Sequence, residues 1–326
     1  MDIQNAYLSA PIKGRYWYRC GLEFGSDKGR LAKIVRALYG LKSAGRTFRN
    51  HLAGTLRKMG FVSTKADPDV WIRPATKPDG TKYYEYLLAY VDDILAASHD
   101  VKAIYEQLGS LFTFKETPAD PKLYLGADVT KWYIENSDEP TKVRWAMSSE
   151  NYTKKVLQEV ERELEEAGRS LPKKTVTPLS SGYRPEIDMS EELDPTRQNY
   201  FQGLIGILRW LVELGRLDIM VPVSMLSRYL VSARVGHLDQ VFHIFAYLKA
   251  HNRSTMVFDD TEPIIEGTRF VKRDWEDYYP EAAEMIPPDM PEPRGEPVVI
   301  TCFTDADHAG CQATRRSHSG IIIFAN

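Results

Sequence analysis

The stretch Tyr86-Leu87-Leu88-Ala89-Tyr90-Val91-Asp92-Asp93-Ile94-Leu95-Ala96-Ala97 constrains this chain more than any other. Two apolar runs, each long enough for a strand, flank an adjacent pair of acids. The pattern reads as a β-hairpin with Asp92 and Asp93 at its tip. Neighbouring carboxylates in an apolar hairpin are costly unless something neutralises them. One solution is Mg²⁺, which binds one or two protein carboxylates together with substrate phosphates. A pair of such ions can stabilise both the attacking and the leaving oxygen of an in-line phosphoryl transfer. The other solution is a turn whose side chains simply face water, and an Asp-Asp pair alone does not separate the two. A third acid, Asp2, opens another short apolar segment, Ile3 to Leu8, which is bounded by Pro11 and fits a strand. On a strand Tyr7, five positions after Asp2, would point to the opposite face; a packed aromatic is its plain reading.

Around the hairpin the sequence predicts strands at Tyr16–Tyr18, Val70–Ile72 and Tyr83–Leu88, the last two separated by the turn Lys77-Pro78-Asp79-Gly80. Helices are expected over Leu31–Leu41 and over Arg46–Met59, where Phe48, Leu52, Leu56 and Met59 recur at helical spacing before Gly60. A short helix over Val101–Leu111 leads to strands at Leu123–Val129 and Val143–Met147. Ser149-Glu150 then opens a helix with Tyr152, Val156, Val160 and Leu164 on one face and Gly168 at its end. Residues 169–198 read as irregular and 199–250 as mostly helical. Pro280 to Pro297 reads as a linker, followed by strands at Val298–Phe303 and Ser319–Phe324. Two strands cannot bury their own faces, so the last domain looks unfinished.

The chain has 326 residues, 43% of them hydrophobic and 27% charged, which is globular composition and enough for two or three domains. Net charge is −3, so the whole chain is not a basic nucleic-acid binder. The distribution is uneven. Residues 1–60 carry twelve Lys/Arg against three acids, and residues 261–300 carry ten acids against four bases. A basic block of this kind is either the footprint of a phosphate backbone or a solvated face. Cys20, Cys302 and Cys311 form no C-x-x-C pair and no zinc spacing, which fits reduced thiols. No signal peptide opens the chain and no apolar run reaches membrane-spanning length, so an intracellular protein without a membrane partner is expected.

Taken in order, the motifs resemble one family. Asp2-Ile3-Gln4-Asn5-Ala6-Tyr7-Leu8 resembles the first catalytic motif of copia-type retrotransposon reverse transcriptases. Ala37-Leu38-Tyr39-Gly40-Leu41-Lys42 is similar to their A-L-Y-G-L-K block. Gly60-Phe61, Lys65-Ala66-Asp67-Pro68 and Tyr90-Val91-Asp92-Asp93 follow in the family's order, and Tyr124-Leu125-Gly126 looks like the primer-grip segment. Leu204–Leu208, Leu226-Ser227-Arg228, His237 and Tyr247-Leu248-Lys249 match the region between polymerase and RNase H. Thr304-Asp305-Ala306-Asp307-His308-Ala309-Gly310, with Thr314-Arg315-Arg316-Ser317 and Ser319-Gly320, resembles the start of an RNase H-like domain. Each tetrapeptide alone is weak; the ordered set spans nearly the whole chain.

The resemblance implies an α+β fold: a right-hand polymerase palm of antiparallel sheet and helices at 1–148, and a helical thumb and connection at 149–260. An acidic Pro-rich linker would follow at 261–297 and a partial RNase H-like α/β end at 298–326. It implies RNA-directed DNA polymerase activity, with Asp2, Asp92 and Asp93 holding two Mg²⁺ ions. Tyr7 would be the steric gate that excludes a 2′-hydroxyl. Lys42, Ser43, Arg46 and Tyr90 would lie near nucleotide or template, and Gly126 would admit the primer backbone. Asp305 would match the first acid of an RNase H site. The implied partners are an RNA template/DNA primer heteroduplex, deoxynucleoside triphosphates and the rest of a polyprotein, in a cytoplasmic virus-like particle with a nuclear step. One departure stands out: the family's common Lys-Gln-Ala-Pro-Arg is here Lys42-Ser43-Ala44-Gly45-Arg46. On this reading the chain is a piece cut near both ends, without ribonuclease activity. The alternatives are a non-catalytic nucleic-acid-binding remnant and an inactive pseudogene product.

Overall fold

Alternating burial builds the acid-tipped hairpin. Leu87, Ala89 and Ile94 are buried while Tyr86 and Tyr90 are exposed, the period-two pattern of a sheet with one face on a core. The computed structural model describes residues 1–133, 143–173, 175–261, 277–281, 285 and 287–325. Much of the stretch expected as an acidic linker lies outside the described residues. The chain divides into two units, Met1–Asp120 with Phe270–Pro297, and Pro121–Arg269 with Val298–Asn326. The fold is mixed α+β with antiparallel sheets. Among the described residues no helix is long and apolar enough to cross a membrane.

In chain order the first unit holds α1 (Ala6–Ser9), β1 (Pro11–Arg19), β2 (Leu31–Arg36), α2 (Ala44–Lys58), β3 (Val62–Ser63), β4 (Val70–Thr76), β5 (Lys82–Tyr90), β6 (Asp93–Ala97) and α3 (Val101–Gly109). Strands β3-β4-β5-β6 form one antiparallel sheet, and β1 and β2 a separate two-stranded ribbon. The stripe Phe48, Leu52 and Leu56 of α2 joins Ile3, Trp71, Leu87 and Ile94 in one core, to which α3 adds Ile104 and Leu108. Spacing of four keeps that stripe on one helix face. On β4 and β5 the facing pair Arg73 and Glu85 is largely buried, 2.6 Å apart. Arg73 also donates to the Met59 carbonyl and to Gln107, and its guanidinium lies over the Phe61 ring. This cluster ties the end of α2 and helix α3 to the sheet.

Two expectations fail here. The segment Ile3–Leu8 is not a strand: only Asp2 and Ile3 make isolated bridges, and the chain then turns into α1. Asn5 makes that turn with φ of 51°, a left-handed conformation that asparagine tolerates better than most residues. Leu31–Leu41 is not a helix either. Leu31–Arg36 is β2, in register with β1 through Trp17–Lys33 and Arg19–Leu31. Adjacent Ile34 and Val35 are β-branched and suit a strand, and pairing with β1 supplies the backbone hydrogen bonds a helix would have made internally.

The second unit holds β7 (Leu123–Tyr124), β8 (Ala127–Trp132), β9 (Arg144–Ser148), α4 (Glu150–Glu166), α5 (Pro195–Glu213), α6 (Met220–Ser227), α7 (Val235–Ala250), β10 (Thr255–Phe258), β11 (Ile300–Ala306) and β12 (Ser319–Ala325). The order β10-β9-β8-β7 makes an antiparallel sheet, and β11 pairs with β12 in a hairpin of its own. Val156, Val160 and Leu164 of α4 meet Phe201, Leu204 and Leu208 of α5 and Val241, Phe245 and Leu248 of α7 in one core. Helix α5 starts as sequence rules prescribe: the Asp194 side chain accepts from the Thr196 and Arg197 N–H groups, and Pro195 takes the first turn. His237 of α7 is buried, its Nδ1 accepting from the Arg234 N–H at 3.0 Å and its Nε2–H donating to the Pro185 carbonyl at 3.0 Å.

Candidate active site

The turn between β5 and β6 is two residues long, Val91 and Asp92, and Tyr90 pairs with Asp93 across it. Val91 takes φ of 55°. Such hairpins ordinarily put glycine at a position like this, so a β-branched residue there holds strain of about 1–3 kcal/mol. The turn therefore depends on its surroundings for support. Met1–Gln4 provides it: the Ile94 N–H donates to the Met1 carbonyl at 2.8 Å, and the Ile3 N–H to the Asp92 carbonyl at 2.9 Å. Asp2 and Asp93 consequently face each other as an antiparallel bridge pair. Directly opposed residues of this kind have Cβ atoms about 4.5–5.5 Å apart, so the tertiary fold gathers the two acids.

Like charges at that range repel, and the site shows it. Burial, followed by the charges of Asp2 and Asp92, pushes the Asp93 carboxyl above the usual carboxylate range. A cation has been recruited in answer. Lys115 lies on the other flank of the Asp2 segment, where its N–H donates to the Asp2 carbonyl at 3.0 Å. Its Nζ reaches Asp2 Oδ2 at 2.5 Å. The hydrogen bond to Asp2 holds the Lys115 ammonium above its ordinary value. The other oxygen, Asp2 Oδ1, is shielded from solvent and has no hydrogen-bond partner among the described residues. A buried anionic oxygen without a donor suits a hard divalent cation. Yet among the described residues no three His, Cys, Asp or Glu side chains are gathered in a geometry ready to hold a metal ion. The donor set fits Mg²⁺ in chemistry.

Lys115 is the site residue that sequence reasoning missed. Its signal was present: Phe112-Thr113-Phe114-Lys115 alternates apolar and polar, and Phe114 makes the bridge to Ile3 that brings Lys115 alongside Asp2.

Tyr7 stands on α1, so the strand argument for its direction does not apply. Its ring packs 4.7 Å from that of Tyr39 and 6.1 Å from that of Phe48. Its hydroxyl would lie 3.7 Å from a Cβ built on Gly45, so Tyr7 meets the start of α2. Lys42 and Arg46 are exposed there, and the Ser43 hydroxyl is 3.3 Å from that of Tyr16 on β1. Tyr90 is exposed at the end of β5. Between α2 and the β4–β5 strands lies a cavity of about 290 Å³, with Phe48, Leu52 and Trp71 among its walls, Tyr90 and Val91 from the hairpin, and the Arg49–Asp69 ion pair. In the second unit Gly126 takes φ of 92° directly after Leu125 at 52°. A Cβ on Gly126 would meet only an ordinary contact, 3.5 Å from the Tyr152 ring, so its backbone angle is what calls for glycine. Asp305 is exposed on β11 opposite Gly320 of β12.

The sequence as a whole matches known proteins. The family model described as reverse transcriptase (RNA-dependent DNA polymerase) matches residues 1–168. The chain is 24% identical over 280 residues to the retrovirus-related Pol polyprotein from transposon TNT 1-94 of Nicotiana tabacum, covering 82% of the chain and 19% of that protein. It is 26% identical over 257 residues to a transposon Ty5-1 protein of Saccharomyces cerevisiae, covering 76% and 75%. It is 27% identical over 255 residues to the retrovirus-related Pol polyprotein from transposon RE1 of Arabidopsis thaliana, covering 76% and 16%. The chain thus spans about a fifth of the length of the tobacco polyprotein. No solved structure matches it.

Proposed function

The chain belongs to the reverse transcriptase (RNA-dependent DNA polymerase) family, in its copia-type retrotransposon branch, and from that premise we propose that its first unit carries a site for RNA-directed DNA synthesis. The reaction would join a deoxynucleoside triphosphate to a primer 3′-hydroxyl, copying an RNA template. One observation carries the reading: Asp2 lies directly opposite Asp93, with a buried oxygen left free for a cation. Asp2, Asp92 and Asp93 would hold two Mg²⁺ ions. Such ions, when bound, lower the pKa of the attacking hydroxyl and offset charge on the phosphates. The rest falls to the protein. The Met1–Gln4 bridge keeps Asp2 in register with the hairpin tip. Tyr7, fixed by Tyr39 and Phe48, would lie against the nucleotide sugar and exclude a 2′-hydroxyl. Lys42 and Arg46 would meet phosphates, while Ser43, bound to Tyr16, would take the place of the family's glutamine. Tyr90 would contact nucleotide or template from the hairpin.

The same premise extends to the architecture. The sheet around β5 and β6 would be the palm, the α4–α7 region the thumb and connection, with Gly126 in the primer grip. The β11–β12 hairpin, with Asp305, would begin an RNase H-like domain. The relatives' names support a place within a polyprotein. A second reading, a nucleic-acid-binding chain without turnover, is favoured by Lys115, whose ammonium already holds Asp2 Oδ2 at 2.5 Å.

Primer extension separates the two. On poly(rA)/oligo(dT) with Mg²⁺ and dTTP, the chain should incorporate nucleotide and the Asp92→Asn/Asp93→Asn double variant should not. Heteroduplex binding with no incorporation by either protein would establish the second reading.

A further inference from the structure

We propose that the outer face of the β1–β2 ribbon binds an unpaired nucleic-acid strand, stacking a base on Trp17 while Lys13, Arg15 and Lys33 meet its phosphates. The inference rests on the polymerase reading for the identity of that strand, which would be template. Along β1 Lys13, Arg15, Trp17, Tyr18 and Arg19 are exposed, while Gly14 and Tyr16 are more buried. Pairing with β2 is regular from Tyr16 to Arg19, which puts Trp17 and Arg19 on one side, while a bulge between Pro11 and Tyr16 carries Lys13 and Arg15. Lys33 of β2 stands opposite Trp17 and is exposed too. The exposed side of the ribbon therefore holds Trp17 beside Lys33, with the cations Lys13 and Arg15 exposed on the bulged stretch just before it.

Charge complementarity is the argument for nucleic acid. The two strands hold five cations (Lys13, Arg15, Arg19, Lys33, Arg36) and no acid. In the connecting loop Asp27 is paired with Arg30 at 2.6 Å, and Glu23, whose partner is the neutral Tyr18 hydroxyl at 2.9 Å, leaves a single negative charge against them. Among the described residues Lys13, Arg15 and Lys33 have no ion-pair partner. Nothing within the ribbon cancels their field, which suits a polyanion. Trp17 chooses between kinds of polyanion. It is 59% exposed, a large apolar ring held out of the core between cations. A duplex keeps its base faces stacked inside and offers such a ring nothing, whereas an unpaired strand offers a π-face to stack on it. The opposite face is used for support: Tyr16 reaches the Ser43 hydroxyl, and Arg36 donates to the Ser9 carbonyl at 2.7 Å.

The test is fluorescence anisotropy with the full chain, labelled oligo(dT) and a blunt-ended duplex of equal-length rA and dT oligonucleotides, without nucleotide or Mg²⁺. Trp17→Ala should weaken oligo(dT) binding about tenfold and leave duplex binding within about twofold. Lys13→Ala/Arg15→Ala/Lys33→Ala should weaken binding and flatten the slope of log K against log salt by about 0.7 per cation removed. Circular dichroism melts, unchanged for these exposed positions, would show that the variants fold. Three results would overturn the proposal: no oligo(dT) binding by the parent, unchanged oligo(dT) affinity in Trp17→Ala, or equal weakening on the duplex. The last would make the ribbon a duplex-backbone contact. Binding is read apart from turnover. A chain that binds through Trp17 but incorporates nothing counts against the polymerase reading alone. One that incorporates while Trp17→Ala binds normally counts against the ribbon alone.

Discussion

Asp93 is a single residue whose charge is held at the expense of stability. It is opposed by Asp2, partly buried, and neutralised only at one remove through Lys115. Directly opposed like charges on a sheet cost on the order of 0.2–1 kcal/mol. Asp93→Asn should therefore stabilise the chain in EDTA by about that free energy and raise its melting temperature; a lower melting temperature would sink the account. The pH dependence has a definite sign. The carboxyl binds its proton more tightly in the folded chain, so its contribution is favourable at low pH and is lost as pH rises through its raised pKa. The gain from Asp93→Asn should thus vanish at pH below the ordinary aspartate value. Tyr7 gives a second test at this scale. Because its ring is fixed by Tyr39 and Phe48 beside the start of α2, Tyr7→Ala should increase ribonucleotide use relative to deoxynucleotide. A constant ratio of kcat/KM for the two would return Tyr7 to a packing role.

Among elements, the sheet of the first unit is fastened through one polar cluster on β4 and β5. Arg73 and Glu85 face each other across the strands with little exposure, and Ser98 donates to the second Glu85 oxygen at 2.7 Å. Removing one partner leaves the other charge buried and unpaired, at a cost of about 3–5 kcal/mol. Glu85→Ala should lose that much in urea unfolding, and Glu85→Gln, which keeps the hydrogen bonds, clearly less. A loss below about 1 kcal/mol for Glu85→Ala would mean that packing, not this pair, fastens α2 and α3 to the sheet. The hairpin tip draws on the same rigidity, since strained Val91 keeps its φ only while β5 and β6 are held in register.

At the scale of the whole molecule, the described residues form two hydrophobic cores that share no residue, one around Phe48, Leu87 and Ile94 and one around Leu208, Val241 and Phe245. Cooperativity follows contiguous packing, so calorimetry should resolve two transitions. Glu85→Ala should lower one midpoint, and Leu208→Ala, a cavity costing about 2–5 kcal/mol, the other. A single transition shifted by both would show that the cores unfold as one.

Some of this was legible in the amino-acid order. The β5–β6 hairpin, the stripes of α2 and α4 and the amphipathic α7 were readable because side chains two or four apart share a face, which makes their pattern local. The ordered motifs likewise placed the chain in its family. The course of Ile3–Leu8 and Leu31–Arg36 was not readable. A left-handed Asn5 and a strand paired only with β1 take their stability from contacts that no local period encodes. Nor did any motif announce Lys115 or the opposition of Asp2 to Asp93. Those depend on three distant segments sharing backbone hydrogen bonds, so the sequence by itself determined which acids were available, and only the tertiary structure decided which of them meet.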